Sequence, residues 1–262
     1  MRLATWNVNS LKTRLDRVLA WLEAVSPDVL CMQETKVADD AVPEMDFRAL
    51  GYQVAHHGLG RWNGVAIVSR IGLEDVVGGL REHDGWTDDG GRFLTATCGG
   101  IRVASIYVPN GREVGSEFFA AKLAWLDRLN EWLRSECDPR QPMAVCGDYN
   151  VAPADQDVWD PAAAHGATHV SEPERAAVAR LREWGLVDVV RKFHPEPGFF
   201  TWWDYRAGNF HKNFGMRIDH VYVTESLAAR ATAAERDRDA RKPSTYPGIP
   251  SDHAPLVVDF KD

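Results

Sequence analysis

Two stretches of this chain, about a hundred residues apart, follow one plan, and that repetition constrains the fold more than any other feature. Leu3 to Asn9 and Val103 to Gly111 each read as a strand running into a loop that carries an aromatic residue and an asparagine. Each is followed by a helix and then by a short apolar run ending in an acid, Gln33-Glu34 in the first case and Gly147-Asp148 in the second. In the first helix Leu11, Leu15, Val18, Leu19 and Leu22 fall on one stripe, with Ser10 as N-cap and Pro27 as stop. The second runs from Phe118 to Leu133. Two such halves predict an α/β layered sandwich, two packed sheets with helices outside.

The remaining patterns fit that plan. Val29 to Met32, Asn63 to Ser69 and Met143 to Cys146 read as buried strands, and Phe93 to Thr97 can pair with Arg102 to Val108 across Gly99-Gly100. Ser171-Glu172-Pro173-Glu174 is a capping-box pattern opening a helix through Trp184. Phe199 to Trp203, Ile218 to Val223 and Leu256 to Phe260 complete the strands. No Gly/Ser linker or low-complexity run divides residues 1–262, so a single domain is expected. Most of the ten tryptophans are expected in the core. Cys31 and Cys146 sit in apolar runs and read as buried thiols of a reducing compartment. With no leader-like apolar segment and no stretch approaching the roughly 20 residues that span a bilayer, a cytoplasmic protein without a membrane contact is expected.

Chemistry gathers where strands end. Trp6-Asn7-Val8-Asn9, Gln33-Glu34-Thr35-Lys36, Tyr107-Val108-Pro109-Asn110-Gly111, Gly147-Asp148-Tyr149-Asn150 and Ser251-Asp252-His253-Ala254-Pro255 each follow or flank an apolar run, and Arg217-Ile218-Asp219-His220 sets an acid inside one. Singly, an Asn or Asp at a strand end is a turn former. Six together, all drawn from oxygen ligands, amides and one His, point to a site on strand-end loops. Glu34, Asp252, Asn7 and Asn9 offer hard oxygens, which suit Mg²⁺ with Mn²⁺ as a substitute; whether one ion or two is left open. No His or Cys spacing suits zinc, and His56-His57 reads as structural. There is no glycine-rich dinucleotide or P-loop pattern. A site with few carboxylates completes its metal shell with substrate phosphate, which suggests metal-assisted phosphodiester hydrolysis.

On the motifs WNVN, QETK, YVPNG, GDYN, WWDYR, MRID and SDHAP, in that order from residue 6 to residue 255, the chain resembles the exonuclease III family. That family is the apurinic/apyrimidinic endonuclease branch of the endonuclease/exonuclease/phosphatase superfamily. The resemblance implies a four-layer α/β sandwich, two packed mixed β-sheets flanked by helices. It implies Mg²⁺-dependent incision of duplex DNA 5′ to abasic sites and 3′→5′ action on duplex ends, by a monomer. Glu34 would be the principal metal ligand beside Asp252, Asn7 and Asn9. Asp148 would position or deprotonate the attacking water, Asn150 and Tyr107 would bind the phosphate, and His253, oriented by Asp219, would stabilise developing charge. The sequence leaves open whether Asp148 or His253 is the base. Asn110 reads equally as a substrate contact and as a turn residue, and Asp188 reads as structural.

The loop from Trp202 to Arg217 interleaves aromatic, amide and basic residues, a composition suited to a nucleic-acid backbone. By resemblance Trp202, Met216 and Ile218 would line an apolar pocket for a base-less deoxyribose, with Ile218 equally readable as core. Arg206, Lys212 and Arg217 supply charge there. The alternatives are another superfamily member, such as a nonspecific nuclease or an inositol-phosphate phosphatase, or a catalytically dead relative that binds DNA ends. Nonspecific deoxyribonucleases carry a His where this chain has Asn110, and the complete constellation argues against a dead enzyme.

The net charge of −8 at first opposes a DNA substrate. It is segregated, however, into runs at Asp39, Asp40, Glu44 and Asp46, at Glu82, Asp84, Asp88 and Asp89, and at Asp155, Asp157 and Asp160, plus the site acids. Basic residues outnumber acids elsewhere. The Gly- and acid-rich segment 76–92 has no functional reading.

Overall fold

The computed structural model describes residues 1–80 and 90–261. The acidic run at Glu82, Asp84, Asp88 and Asp89 lies outside the described residues. The strands are β1 (Arg2–Asn7), β2 (Val29–Gln33), β3 (Gln53–His57), β4 (Val65–Ser69), β5 (Glu74–Gly78), β6 (Phe93–Cys98), β7 (Ile101–Tyr107), β8 (Met143–Asp148), β9 (Leu186–Asp188), β10 (Asp219–Thr224), β11 (Ala231–Arg236) and β12 (Leu256–Phe260). The longer helices are α1 (Leu11–Val25), α2 (Glu44–Ala49), α3 (Glu117–Glu136) and, counted on past the four-residue α4 (Pro161–Ala164), α5 (Glu172–Trp184).

The strands form two six-stranded mixed sheets, ordered β11-β12-β1-β2-β4-β3 and β5-β6-β7-β8-β10-β9. The internal echo is visible in the pairing. Each sheet is centred on a parallel pair, β1 with β2 and β7 with β8, each joined by a helical crossover. Alternation along the strands sorts side chains into two faces. Leu3, Val29, Cys31, Val65 and Ile67 of one sheet meet Leu94, Ala96, Val103, Ala144, Cys146, Val221 and Val223 of the other in the central core. On the outer faces α1 packs Leu11, Val18, Trp21 and Leu22 against Ala4, Trp6, Leu30 and Met32. Across the molecule, α3 and α5 pack Leu126, Leu129, Leu133, Val178 and Leu181 against Ile106, Val145 and Tyr222. The result is four layers, helix–sheet–sheet–helix. Each fully buried Leu contributes about 2 kcal/mol. Among the described residues, no helix is long and apolar enough to cross a membrane.

The caps explain where helices begin. Ser10 Oγ accepts from Thr13 N at 3.4 Å and Ser116 Oγ from Phe119 N at 3.2 Å. Glu174 reaches back to Ser171 N at 3.1 Å, as a capping box requires.

Several expectations need correction. Phe199 to Trp203 is not a strand. Trp202 makes only single bridges, to Met216 and to His253, and Thr201 carbonyl accepts from Ala254 N at 2.8 Å, so this segment stitches two loops together. Strand β4 starts at Val65 rather than Asn63, because Asn63 and Gly64 both have positive φ. Strand β10 starts at Asp219, one residue after Ile218. Strands β5, β9 and β11 escape periodicity: β5 is exposed throughout, β9 has three residues, and β11 is Ala-rich with low strand propensity. The tryptophans divide: Trp6, Trp21 and Trp203 are fully buried, whereas Trp62 and Trp159 are exposed.

Two charges also change meaning. Asp157, placed in an acidic run, is buried, and Arg217, placed with the substrate loop, is buried beside it. Arg217 Nε donates to Asp157 at 2.6 Å, and its terminal nitrogens donate to both oxygens of Asp188 at 3.0 and 2.8 Å. Arg191 closes on Asp157 from the other side. Neither Arg217 nor Asp157 is free to meet a ligand.

Candidate active site

The C-terminal ends of both parallel pairs open on the same end of the sandwich. Asn7 lies opposite Gln33 in the first pair, and Tyr107 lies opposite Asp148 in the second. Strand β10 lies antiparallel to β8 with Asp219 opposite Asp148. The two sheets thus bring Asn7, Glu34, Tyr107, Asp148 and Asp219 together from separate parts of the chain. The loop before β12 adds Asp252 and His253, anchored by Ser251 Oγ on Asn7 carbonyl at 2.7 Å and by Trp6 Nε1 on His253 carbonyl at 3.1 Å.

The backbone is bent to make this possible. Asn9, Glu34, Lys36 and Asn150 all adopt positive φ between 45° and 54°. Such non-glycine residues are uncommon and each costs about 1–2 kcal/mol. Their clustering at one end of the sheets marks a place where geometry overrides local preference. Gly147 has a different reason: a Cβ there would lie 2.0 Å from Ile106 carbonyl, so only glycine lets β8 run beside β7 just before Asp148.

A hydrogen-bond lattice fixes the acids. Asn7 Nδ2 donates to Glu34 Oε1 and to Asp148 Oδ2, both at 2.9 Å, while Asn7 Oδ1 accepts from Asn9 N at 3.0 Å. Asp148 Oδ1 accepts from Asn150 N at 2.8 Å. Asn9 Nδ2 donates to Asp252 Oδ1 at 3.0 Å, and Trp202 Nε1 donates to Asp252 Oδ2 at 3.1 Å. Asp219 accepts from His253 Nδ1 at 2.9 Å, which leaves Nε2 facing Asp148 Oδ2 at 3.9 Å. Among the described residues, Glu34, Asp148 and His253 form a group whose ligand atoms lie within 4.8 Å of one another. Asp252 stands off that group, its two oxygens taken by Asn9 and Trp202.

The electrostatics follow from burial and crowding. Burial, Asp219 and Glu34 push the Asp148 carboxyl up to about 7, against the opposing pull of His253. Burial disfavours charge on His253, but Asp219, Asp252 and Asp148 outweigh it and raise the imidazole to about 10. His253 is therefore an imidazolium with Nε2–H aimed at the site, a donor rather than a metal ligand. Burial together with Glu34 and Asp148 holds the Tyr107 phenol well above its ordinary value, so it stays a donor. Burial opposes ionisation of Asp252, yet His253, Asn9 and Trp202 keep it below the usual carboxylate range. The hard oxygens of Glu34 and Asp148 fit a divalent metal cation, and the crowding of acids gives such an ion a favourable place.

The other expected residues sort into three groups. Asn110 Nδ2 donates to Asn150 Oδ1 at 3.2 Å, and Asn110 Oδ1 also accepts from Arg112 N at 3.1 Å, a turn contact. Trp202, Met216 and Ile218 share one apolar cluster with Val158 and Val170, and Ile218 is its buried member. Arg206 and Lys212 are not brought to the acids: Arg206 pairs with Asp204 and Lys212 lies 5.8 Å from the Phe214 ring.

The model for the Endonuclease/Exonuclease/phosphatase family matches residues 4–253. The chain belongs to that family. It is similar to an exodeoxyribonuclease III of Haemophilus influenzae, with 33% identity over 276 residues and all of both chains covered. Among solved structures it is similar to an AP endonuclease from Archaeoglobus fulgidus, with 40% identity, a TM-score of 0.93 and full coverage of both chains. It is also similar to a 3′ phosphatase from Neisseria bound to product DNA hairpin, with 38% identity, a TM-score of 0.94 and full coverage of both.

Within this member of the endonuclease/exonuclease/phosphatase family, two sets of site residues escaped the sequence reading. Lys36 Nζ pairs with Glu34 Oε2 at 2.8 Å and donates to Asn9 Oδ1 at 2.6 Å. It stands in the QETK motif, so the signal was present. Lys36, Arg92 and Arg112, with Trp62, Tyr107 and Phe118, line a groove of about 360 Å³ that includes Glu34. A basic groove at the acids accords with the segregation of charge. Behind Asn150 sits a fully buried Lys122, whose Nζ donates to the carbonyls of Asn150 at 2.6 Å and Asn110 at 3.3 Å and pairs with Glu174. His169 Nδ1 donates to the same Asn150 carbonyl at 2.5 Å. One helical ammonium thus pins both amide-bearing loops, a contact that only folding reveals.

Proposed function

We propose that this chain is a Mg²⁺-dependent DNA repair nuclease of exonuclease III type. On this reading it incises duplex DNA 5′ to abasic sites and removes nucleotides and phosphate groups from 3′ ends, as a cytoplasmic monomer. The observation that carries the reading is the Glu34–Asp148–His253 cluster, in which two carboxylates and an oriented imidazolium face one another beside a basic groove. Family membership and the activities named for its relatives support it.

The chain's own residues divide the work of in-line phosphodiester hydrolysis. Asp148, fixed by Asn7 and Asn150 N, orients the attacking water and accepts its proton. His253, fixed by Asp219, donates through Nε2–H to a non-bridging phosphate oxygen. Tyr107 and the Asn150 and Asn110 side chains would contact the same phosphate. Glu34 leads the residues that would hold the divalent ion, with Asp252, Asn7 and Asn9 behind it; Mn²⁺ would substitute. A bound ion would supply charge neutralisation at the phosphate and the leaving 3′ oxygen. Trp202 and Met216 would form the apolar wall against which a base-less sugar packs, with Ile218 buried behind them.

The test is a set of matched duplexes: one with a single abasic site, one blunt, one nicked and one with a 3′-phosphate. Each is assayed with Mg²⁺ and with EDTA. Cleavage that requires the metal is expected. Undiminished activity in EDTA, or hydrolysis of inositol phosphates in preference to every duplex, overturns the proposal.

A further inference from the structure

One aromatic pair beside the Trp202–Met216 loop contact belongs to no apolar core cluster. Trp159 is 44% exposed, and its ring stacks face to face on Phe214, with centroids 3.9 Å apart and planes at 14°. The backbone holds this pair rigidly. Trp159 N donates to Gly215 carbonyl at 3.1 Å, and the neighbouring Val158 bridges to Met216. A Cβ on Gly215 would lie 2.6 Å from Trp202 carbonyl and from Trp203 Nε1, so the chain beneath Phe214 is pressed against Trp202. Trp202 in turn donates to Asp252. The stack is therefore tied through Met216 and Trp202 to Asp252 and to the loop that carries His253. Val158, Met216, Trp202 and Ile218 form the apolar cluster below it, and neither stacked ring is a member. Lys212 Nζ lies 5.8 Å from the Phe214 ring.

Phe214 is half-buried, but the Trp159 ring stacked on it stays largely in solvent and forgoes much of the area burial that makes aromatic residues valuable in a core. A flat, rigid aromatic face with a cation beside it is what binds nucleobases without regard to sequence, because every base has a π-face. A base within a duplex has both faces covered by its neighbours. Only an unpaired or terminal base has a face to offer. We infer that Trp159 and Phe214 form a stacking subsite for an unpaired nucleobase in the strand whose phosphate lies at the acidic cluster. Lys212 meets the adjoining backbone. The inference rests on the nuclease reading above and extends it to a substrate class: 3′ ends that are frayed, mismatched or overhanging.

The experiment compares two duplexes that differ only in whether the 3′-terminal nucleotide is paired. Trp159→Ala is expected to lower the ratio of kcat/KM on the unpaired end to that on the paired end by about tenfold, within the range for loss of one base–aromatic stack. Phe214→Ala is expected to lower it less, and Trp159→Phe to keep most of it. A ratio does not move when a variant merely folds poorly. Binding is read separately in EDTA with 2-aminopurine at the unpaired position, whose fluorescence is quenched by stacking; the quench is expected with the parent chain and lost with Trp159→Ala. An unchanged ratio, or fluorescence indifferent to Trp159, overturns the subsite while paired-end cleavage upholds the nuclease reading. Absence of cleavage of any duplex by the parent chain overturns that reading and, with it, the 3′-end assignment.

Discussion

Two buried clusters of acids lie a few residues apart in this chain, and they are in opposite electrostatic states. Asp157 and Asp188 enclose Arg217, with Arg191 completing the ring. Burial works against both carboxylates, but the guanidinium charges and hydrogen bonds outweigh it and hold both below the ordinary carboxylate range. Asp148 is buried to the same degree, yet it faces Asp219 and Glu34 and its carboxyl rises to about 7. The difference is the count of cationic donors. Two acids share bidentate and single contacts from two arginines in the first cluster, whereas in the second one imidazolium serves Asp219 and stands 3.9 Å from Asp148, Lys36 serves Glu34, and Asp148 itself accepts only from the neutral Asn7 and Asn150 groups. The first cluster is complete and holds the fold together. The second has negative charge to spare, and an incomplete buried cluster is a place prepared for a cation and a substrate.

The contrast can be broken by substitution. Asp148→Asn is expected to lower kcat by ~10³-fold or more, the scale of losing a positioned base, without lowering the melting temperature, since it removes a crowded like charge. A melting temperature that fell in step with activity would make Asp148 a structural acid like Asp157. Arg217→Met should do the reverse. Breaking a buried ion pair leaves uncompensated charge and costs about 3–5 kcal/mol, read by urea unfolding, while turnover per folded molecule at low temperature stays near that of the parent. Loss of turnover with undiminished stability would place Arg217 in the chemistry instead. The smallest effect concerns pH. Because Asp157 and Asp188 have depressed folded-state pKa values, their contribution is whole above the unfolded value of about 4 and is lost as pH falls through the folded values. The stability gap between the parent and Asp188→Asn should therefore narrow from pH 6 to pH 3. A gap constant with pH removes the linkage.

Much of the site was legible in the chain because its residues stand in strand-end motifs of unusual composition. Glu34, Asp148, Asp219 and His253 could be named from those motifs, and the four layers were foreshadowed by the repeated strand–helix–strand plan. Arg217 and Asp157 were misplaced for a physical reason: a basic residue in a polar loop and an acid in an acidic run look alike whether exposed or paired. Lys122 was invisible because its importance lies in reaching carbonyls of two loops distant in sequence, and carbonyls leave no mark on a sequence. The Phe199 to Trp203 segment has strand composition but spends its hydrogen bonds on two loops.

By itself, then, the sequence determined the chemistry available and the order of the elements, since both depend on residue type and local periodicity. The tertiary structure decided which charges are balanced. That depends on distances between β8, β10 and the loops before β9 and β12, and Coulomb interactions and desolvation in a buried environment respond to those distances and not to position along the chain.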